Sequence, residues 1–560
     1  MSELEALLAQ VDADRLMAHV RNITQFERIP GSDEERAAFD CIEKALVACG
    51  LSPQRQMLPA YISIPVCAEL TVAGENIPCT THSMLPSAEL NAELVEVPDA
   101  ASILRCNVVG KILLIDGLAM APVVRAAQEA GALGVVFVAG SRHYHKMIVS
   151  TVWGSPEPDD CTAFLGIPAV TVSYRDGERI RSLLRRSVEV HMATAVENKW
   201  MELPVITADI GRTDKGYLML TGHVDSWYKG AMDNASGNAA ALEIARILAA
   251  EQPFLRRGVR VVFWSGHSHG RYAGSTAFCD AFFQDIHDNA FLHVNADCLG
   301  GCGATLLSQG GCMAESWALG DFAIRTVTGE GFEGTRFSRS CDQSFWGTGT
   351  PSLFSSVSEQ PKPETEDAAS KAFGLMFGGS KSGGYGWWWH TEADTVDKID
   401  PELLRRDTQI FLAAVYKACA DPIIPLDIRA GFAEFAEQVR DYAATGNGLD
   451  FRPLLSRIQW VENLLASLDL SGDTEKANRL ILKFEQKLVP LLYVKKSRFG
   501  HDAASRQAPL PLLEEVPAWA AETNAHRRHC LEVLLKRRLN ELTFRVGELV
   551  ELLEELHERT

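Results

Sequence analysis

The chain has 560 residues, too many for one core, and should divide into roughly three or four units able to bury ample apolar surface. Lys and Arg total 54 against 73 Asp and Glu, and the resulting net charge of −19 argues against a phosphate-backbone partner, so nucleic acid is not an expected ligand. No stretch approaches a membrane span, the N-terminus lacks the basic and apolar regions of an export signal, and thirteen scattered cysteines without a CxxC pair read as reduced thiols of a cytoplasmic protein with no membrane partner.

Residues 12 to 50 read as two helices joined by TQFERIPGSDEE. Ser32 is a candidate N-cap, Glu35 stands at capping-box spacing, and Gly50 is a C-cap. From about 57 to 200 the texture turns to short β-type runs (AELTVAG, GKILLID, LGVVFVAG, IPAVTVS, VEVHMAT) around a single helix at Ala121 to Ala130. This pattern suggests an inserted domain that covers something, the alternative being part of one large sheet. Between 201 and about 420, strand and helix alternate at longer spacing, which predicts a mainly parallel sheet with helices on both faces. Three of its strands end in polar clusters: His223/Asp225/Asp233, His267/Ser268/His269 and Asn295/Asp297. Parallel strands would put all three on one edge, where open α/β sheets keep their sites.

Within the first cluster, TGHVDSWYKGAMDNASG is either a metal-binding loop or an ordinary strand-to-helix connection with a polar cap. Cys298 and Cys302 in CLGGC read as buried small residues rather than zinc ligands. Beyond Pro425 the chain is helical, with helices predicted at Phe432 to Ala443, Phe451 to Leu468 and Glu475 to Leu492, then a Pro-containing connection and a last helix. Leu535, Leu539, Leu542, Val546, Leu549, Leu553 and Leu556 recur at heptad spacing. That seam must be covered by its own bundle or by a second subunit, and a homodimer is the expectation.

Collecting strand-end groups gives His223, Asp233, Asp297 and His390, the last in WWWHTEADTVDKID. Two imidazoles and two carboxylates suit zinc or another divalent transition ion, and an aspartate can bridge two ions through its two oxygens. These residues resemble the M28 family of metallopeptidases. The resemblance runs from IPGSDEE through GHVDSW…GAMDNASG, VVFWSG…HG…GS and NADCLG to H-T-x-x-D-T and DKID, in the family's order. GKILLID…AQEAGALGVVFV…GIPAVTVSYRDG looks like a protease-associated insert, and the whole layout is similar to glutamate carboxypeptidase II and the transferrin receptor.

What the resemblance implies is an α/β fold, a mainly parallel or mixed sheet flanked by helices and zinc-exopeptidase-like, with an inserted β-rich protease-associated domain and a C-terminal helical domain. The units would be N-terminal helices of the catalytic domain at 1–56, the insert at 57–200, the catalytic domain at 201–424 and a helical, dimerising domain at 425–560. It further implies a two-zinc hydrolase site with His223, Asp233, Asp297 and His390 as ligands, Asp233 bridging and Asp225 orienting a metal-bound imidazole.

The chain departs from the family one strand away. Two glutamates, a general base and a metal ligand, follow WSG in the family; here those positions are His267 and Ser268. Three readings follow. His267 serves as base, with His269 or His267 filling the vacant coordination place; or a single ion binds, as in an amidohydrolase of small non-peptide amides; or the chain is an inactive binding or scaffold protein. The first reading, an aminopeptidase-like hydrolase of a peptide or other amide bond with one or two zinc ions, is the expectation.

Around the site, Trp387, Trp388 and Trp389 could wall a pocket. Trp389 holds the place of a family tyrosine that stabilises the oxyanion, leaving Tyr385 as a substitute. Gly378, Gly379, Gly383, Gly384 and Gly386 suggest a lid, and Arg271 is a candidate for a substrate carboxylate or for a structural pairing.

Overall fold

The computed structural model describes residues 3–184, 188–362, 381–505 and 507–557, with the side chains of Leu556 and His557 outside the description. The predicted alternation after residue 201 forms a mixed sheet. Strand Tyr217–His223 lies between Gly258–Trp264 and Ala290–Asn295, parallel to both, and Ser352–Leu353 extends the parallel set. Glu189–Ile210 closes the other side antiparallel to Gly258–Trp264. Alternation along Tyr217–His223 fills both faces, as a central strand requires. Leu218 and Leu220 join a core with helices Ala13–Ile23, Gly237–Ala250 and Pro401–Ala420, while Tyr217 and Met219 pack with Trp264, Phe278, Ile286 and Phe345.

The N-terminal helices form as predicted, at Ala13–Ile23 and Asp33–Ala48. Ser32 caps the second by accepting from the Glu35 backbone N–H, but Glu35 does not close the box onto Ser32. Its buried carboxyl instead accepts the N–H of Gly31 and the hydroxyl of Ser265, tying this helix to the turn that follows strand Gly258–Trp264.

In the insert the predicted runs GKILLID, LGVVFVAG and IPAVTVS form Ile112–Asp116, Gly134–Val138 and Ala169–Val172, paired in that order beside a further strand outside the predicted runs, Ala88–Glu96. AELTVAG and VEVHMAT fall in two longer strands. A second helix, Tyr174–Leu183, joins the predicted Ala121–Glu129. Its internal Gly177 hid it in the sequence, yet a Cβ there would lie 2.3 Å from Val138 Cγ1, so close packing demands the glycine. Two long strands, Gln54–Val72 and Glu189–Ile210, pair with each other through the insert and into the catalytic sheet. The expected boundaries at 56/57 and 200/201 therefore fall inside strands that serve both units.

Helices Ile428–Thr445, Arg452–Ser467, Thr474–Tyr493 and Ala525–His557 build the C-terminal bundle. Leu535, Leu539, Leu542, Val546, Leu549 and Leu553 are buried against this chain's own helices, chiefly Arg452–Ser467. The seam expected to call for a second subunit is thus filled internally, each Leu contributing about 1.5–3 kcal/mol by its burial. Leu556 lies outside the described side chains.

Two carboxyls are buried where this bundle meets the catalytic domain. No oxygen of the Glu315 or Glu485 side chain has a hydrogen-bond partner among the described residues. Burial pushes Glu315 up to about 8 and Glu485 well above the usual carboxylate range. Unfolded, such groups ionise near 4.5, so the folded state binds more protons. This stabilisation is complete below that pH and is lost as pH rises towards 8. Glu315→Gln should raise Tm at pH 8 far more than at pH 5, because only at the higher pH does the parent forgo ionising this carboxyl or bury its charge. Calorimetry at the two pH values checks this, and an equal gain at both would contradict it.

Candidate metal centre

The sheet register gathers the site. Trp264 pairs with His223 and Asn295 with Thr221, so the turn beginning at Ser265 and the residue Asp297 emerge beside the end of the His223 strand. The loop from Val224 to Gly230 is braced from below by Arg28. Fully buried, its guanidinium donates to the carbonyls of Val224 at 2.6 Å, Lys229 at 2.7 Å and Gly230 at 2.9 Å. Asp394 accepts the N–H groups of Met232 at 2.8 Å and Asp233 at 3.1 Å, fixing the next segment.

On this scaffold His223 Nε2 lies 3.0 Å from Asp233 Oδ1 and 3.6 Å from Asp297 Oδ1. All three atoms are buried, and none has a hydrogen-bond partner among the described residues. Ligands at 2.0–2.2 Å from a tetrahedral ion stand roughly 3.3 Å apart, so this spacing fits zinc. Charge fits as well. Burial opposes ionisation of His223, but Asp297, Asp225 and Asp233 outweigh it and raise His223 well above its ordinary value, the mark of a pocket that wants a cation.

Each candidate imidazole ligand has its other nitrogen occupied. His223 Nδ1 lies 2.9 Å from the main-chain carbonyl of Asp225, and its distance to the Asp225 carboxylate is 3.7 Å. The expected orienting contact is therefore made by the backbone, because the carboxylate is engaged elsewhere. It accepts the N–H groups of His267 at 3.0 Å and Ser268 at 2.8 Å, clamping that turn. His390 Nδ1 lies 2.6 Å from the carbonyl of Lys146, whose N–H returns a bond to the His390 carbonyl at 2.9 Å. The insert thus orients a candidate ligand from outside the catalytic domain. His390 Nε2 faces Asp233 Oδ2 at 3.0 Å, leaving Asp233 between two histidines as a bridging carboxylate would be.

The two sides of Asp233 differ. On the His223 side, ligand atoms of His223, His267 and Asp297 lie within 4.8 Å of one another, as do those of Asp233, Asp297 and Cys298. On the His390 side, no third His, Cys, Asp or Glu converges among the described residues. Ser268 offers only a buried hydroxyl without a hydrogen-bond partner among the described residues. His269 does not fill the gap expected of it: its ring packs 3.9 Å from Trp227, and its Nδ1 faces Asp225 at 3.7 Å.

His267 stacks on His223 with ring centroids 3.8 Å apart and planes 11° from parallel. An ion bound by imidazole sits in the ring plane, along the nitrogen lone pair. Two face-to-face rings share no plane, so in this arrangement His267 and His223 cannot both ligate one ion. His267 Nδ1 is taken by Asp342 Oδ2 at 2.7 Å, which leaves Nε2 as the nitrogen free for other chemistry.

The remaining predicted residues divide. Trp389 stacks on His390 at 3.4 Å, Trp388 turns inward to Met232, and Trp387 lies 4.8 Å from His143 of the insert at the surface. Tyr385 is buried, its hydroxyl pushed well up by burial and by the field of Cys341, Glu359, Cys298 and Asp297, which places it on the Asp297 side. Arg271 is half-buried, its guanidinium 5.5 Å from the ring of Tyr272, which in turn meets His267 edge-on at 4.8 Å. Gly378 and Gly379 lie outside the described residues, so the lid reading rests on Gly383, Gly384 and Gly386 alone. Asp342 is one acid in the polar stretch SRSCDQS and Lys146 acts through a main-chain carbonyl, so neither carries a sequence signal. Cys298, read as a buried small residue, is buried and stands beside the carboxylates as well.

A mixed sheet that presents two histidines and two aspartates on its carboxyl edge, with a β-rich insert against them, defines a zinc-exopeptidase-like domain architecture. Residues 205–415 match the profile of Peptidase family M28 and residues 78–180 that of the PA domain, so the chain carries an M28 peptidase domain with a PA domain ahead of it. It is similar to a probable glutamate carboxypeptidase, VP8, of Zea mays, 26% identical over 301 residues that cover 51% of this chain and 40% of that protein. The chain thus spans under half the length of this relative. Among solved structures it resembles an aminopeptidase from Aneurinibacillus sp. strain AM-1, with 22% identity, TM-score 0.54, and coverage of 74% of this chain and 95% of that one. It also resembles BSAP, a zinc aminopeptidase from Bacillus subtilis, with 20% identity, TM-score 0.54, and 73% and 95% covered. Both structural likenesses speak for the fold.

Proposed function

We propose that the chain is a metal-dependent hydrolase of peptide or other amide bonds, aminopeptidase-like, with zinc held by His223, Asp233 and Asp297 and with His267 as general base. The observation that carries this reading is the convergence of three buried ligand atoms, without hydrogen-bond partners among the described residues, beside an imidazole that cannot ligate with them in this arrangement. The M28 match and the named relatives support the reaction class. A divalent ion in such a site supplies Lewis acidity to a carbonyl and acidity to a water.

The chain's own part is proton transfer and orientation. His267 Nε2 takes a proton from the attacking water as the water oxygen bonds to the carbonyl carbon and the C=O π pair moves to oxygen. The imidazolium then returns that proton to the departing nitrogen as the C–N bond breaks, so that amide and water become acid and amine. Tyr385, on the Asp297 side, is the candidate to steady the carbonyl oxygen. Trp389 and Arg271 are candidates for substrate contacts, and thirteen free cysteines suit a reducing, cytoplasmic setting. No helix among the described residues is long and apolar enough to cross a membrane.

One ion should bind tightly and a second weakly, because the His390 side keeps two protein ligands where Ser268 replaces a carboxylate. Elemental analysis of protein purified without chelator is expected to give about one zinc per chain. Titration should then fill a second, readily dialysed place, and Ser268→Glu should tighten it. Hydrolysis of an aminoacyl-p-nitroanilide and N-acyl-amino-acid panel should be lost on chelation. Absence of any transition metal together with inactivity on every amide would sink the reading.

A further inference from the structure

Resting on the hydrolase reading, we infer that Asp342 is a positioning residue that completes an aspartate–histidine couple with His267 and sets the proton-accepting nitrogen of the site. Asp342 Oδ2 lies 2.7 Å from His267 Nδ1, and both side chains are buried. A carboxylate only accepts, so the Nδ1 it faces carries the hydrogen and Nε2 keeps its lone pair. A glutamate at position 267 would need no such partner, since either of its oxygens can take a proton. An imidazole does, because in the other tautomer the nitrogen facing a water would already bear a hydrogen.

The surroundings hold the couple in one geometry. Cys341 and Asp342 both adopt left-handed backbone, each at φ 52°, an arrangement costly for non-glycine residues and kept only where neighbours impose it. The imposing contacts lie just beyond. The Ser344 N–H donates to the Asp342 carbonyl at 2.8 Å. Its hydroxyl takes the Trp153 indole N–H at 2.9 Å and pairs with Ser275 at 2.8 Å, while Phe345 is fully buried. Tyr272 stands edge-on to the His267 ring and His223 lies stacked against it, and these two contacts hold the ring in place beside Asp342. Burial opposes ionisation of Asp342, but His267 holds its carboxyl below the usual range, consistent with an anionic acceptor.

The test uses the zinc-loaded full-length chain. After glycine, asparagine is the replacement best tolerated in left-handed backbone, and its amide can donate to Nδ1 and favour the wrong tautomer. Asp342→Asn should lower kcat on the best aminoacyl-p-nitroanilide of the panel by about 10²–10⁴-fold, with KM, bound zinc and Tm close to those of the parent. Added to His267→Gln, it should cost almost nothing more. Independently of turnover, long-range proton–nitrogen spectra of histidine-labelled protein should show His267 protonated at Nδ1 in the parent and not in the variant. If Asp342→Asn yields no folded protein, Asp342→Gly, which keeps the backbone and removes the acceptor, carries the same expectations.

Loss of zinc in the variant, an equal loss of rate in the His267→Gln background, or an unchanged tautomer would each overturn the proposal. If the parent hydrolyses no amide, the hydrolase reading fails, and the spectra alone decide the role of Asp342.

Discussion

Asp233→Asn is expected to strip the tightly bound metal and with it all hydrolysis, a loss of about 10³-fold or more, well beyond the 10–100-fold typical of residues that merely support ligands. The expectation follows from position. Asp233 meets His223 Nε2 through Oδ1 and His390 Nε2 through Oδ2, both at 3.0 Å, so neither candidate ion place exists without it. Asparagine keeps the shape and removes the charge. His223 would then keep Asp297 as its one carboxylate among the four proposed ligands, and His390 would keep none of them. Metal content and folding must be read together. Retention of secondary structure with loss of zinc locates the effect in the site, whereas retention of zinc would show that Asp297 and His223 hold it unaided.

Much of this was legible in the sequence for a physical reason. Parallel strands deliver their carboxyl-terminal residues to one edge, so the order of His223, Asp297 and the turn at His267 along the chain already implied their meeting. Glycine and capping signals likewise marked the N-terminal helices. The failures share another cause. His223 and His390 are oriented by the carbonyls of Asp225 and Lys146, and a carbonyl has no residue signature. Asp342 lies 75 residues beyond its partner, in a loop rather than at a strand end, and only the fold connects the two. Heptad spacing in the last helix recorded that one face is buried without recording by what. His269 looked equivalent to His267 two residues away, but the turn clamped by Asp225 sends the rings in different directions, one to His223 and the other to Trp227.

The substitution that separates the chemical readings most sharply is His267→Ala. With His267 as base, turnover should fall by about 10²–10⁴-fold, the usual worth of a positioned proton acceptor, while bound zinc stays near that of the parent. With His267 as a ligand, zinc should be lost along with rate. Geometry favours the first outcome. The ring is stacked parallel to His223 rather than sharing a plane with it, and its Nδ1 is committed to Asp342. Removing the ring also uncovers one face of His223, so a modest fall in zinc affinity is compatible with the base, and the two effects must be weighed by size. His267→Glu supplies the discriminating control. A carboxylate at this position restores the proton acceptor found in the resembling family and needs no aspartate partner. Turnover should therefore recover in part, and Asp342→Asn should cease to matter in that background. A ligand role for His267 would instead leave the rate tied to zinc content in every variant.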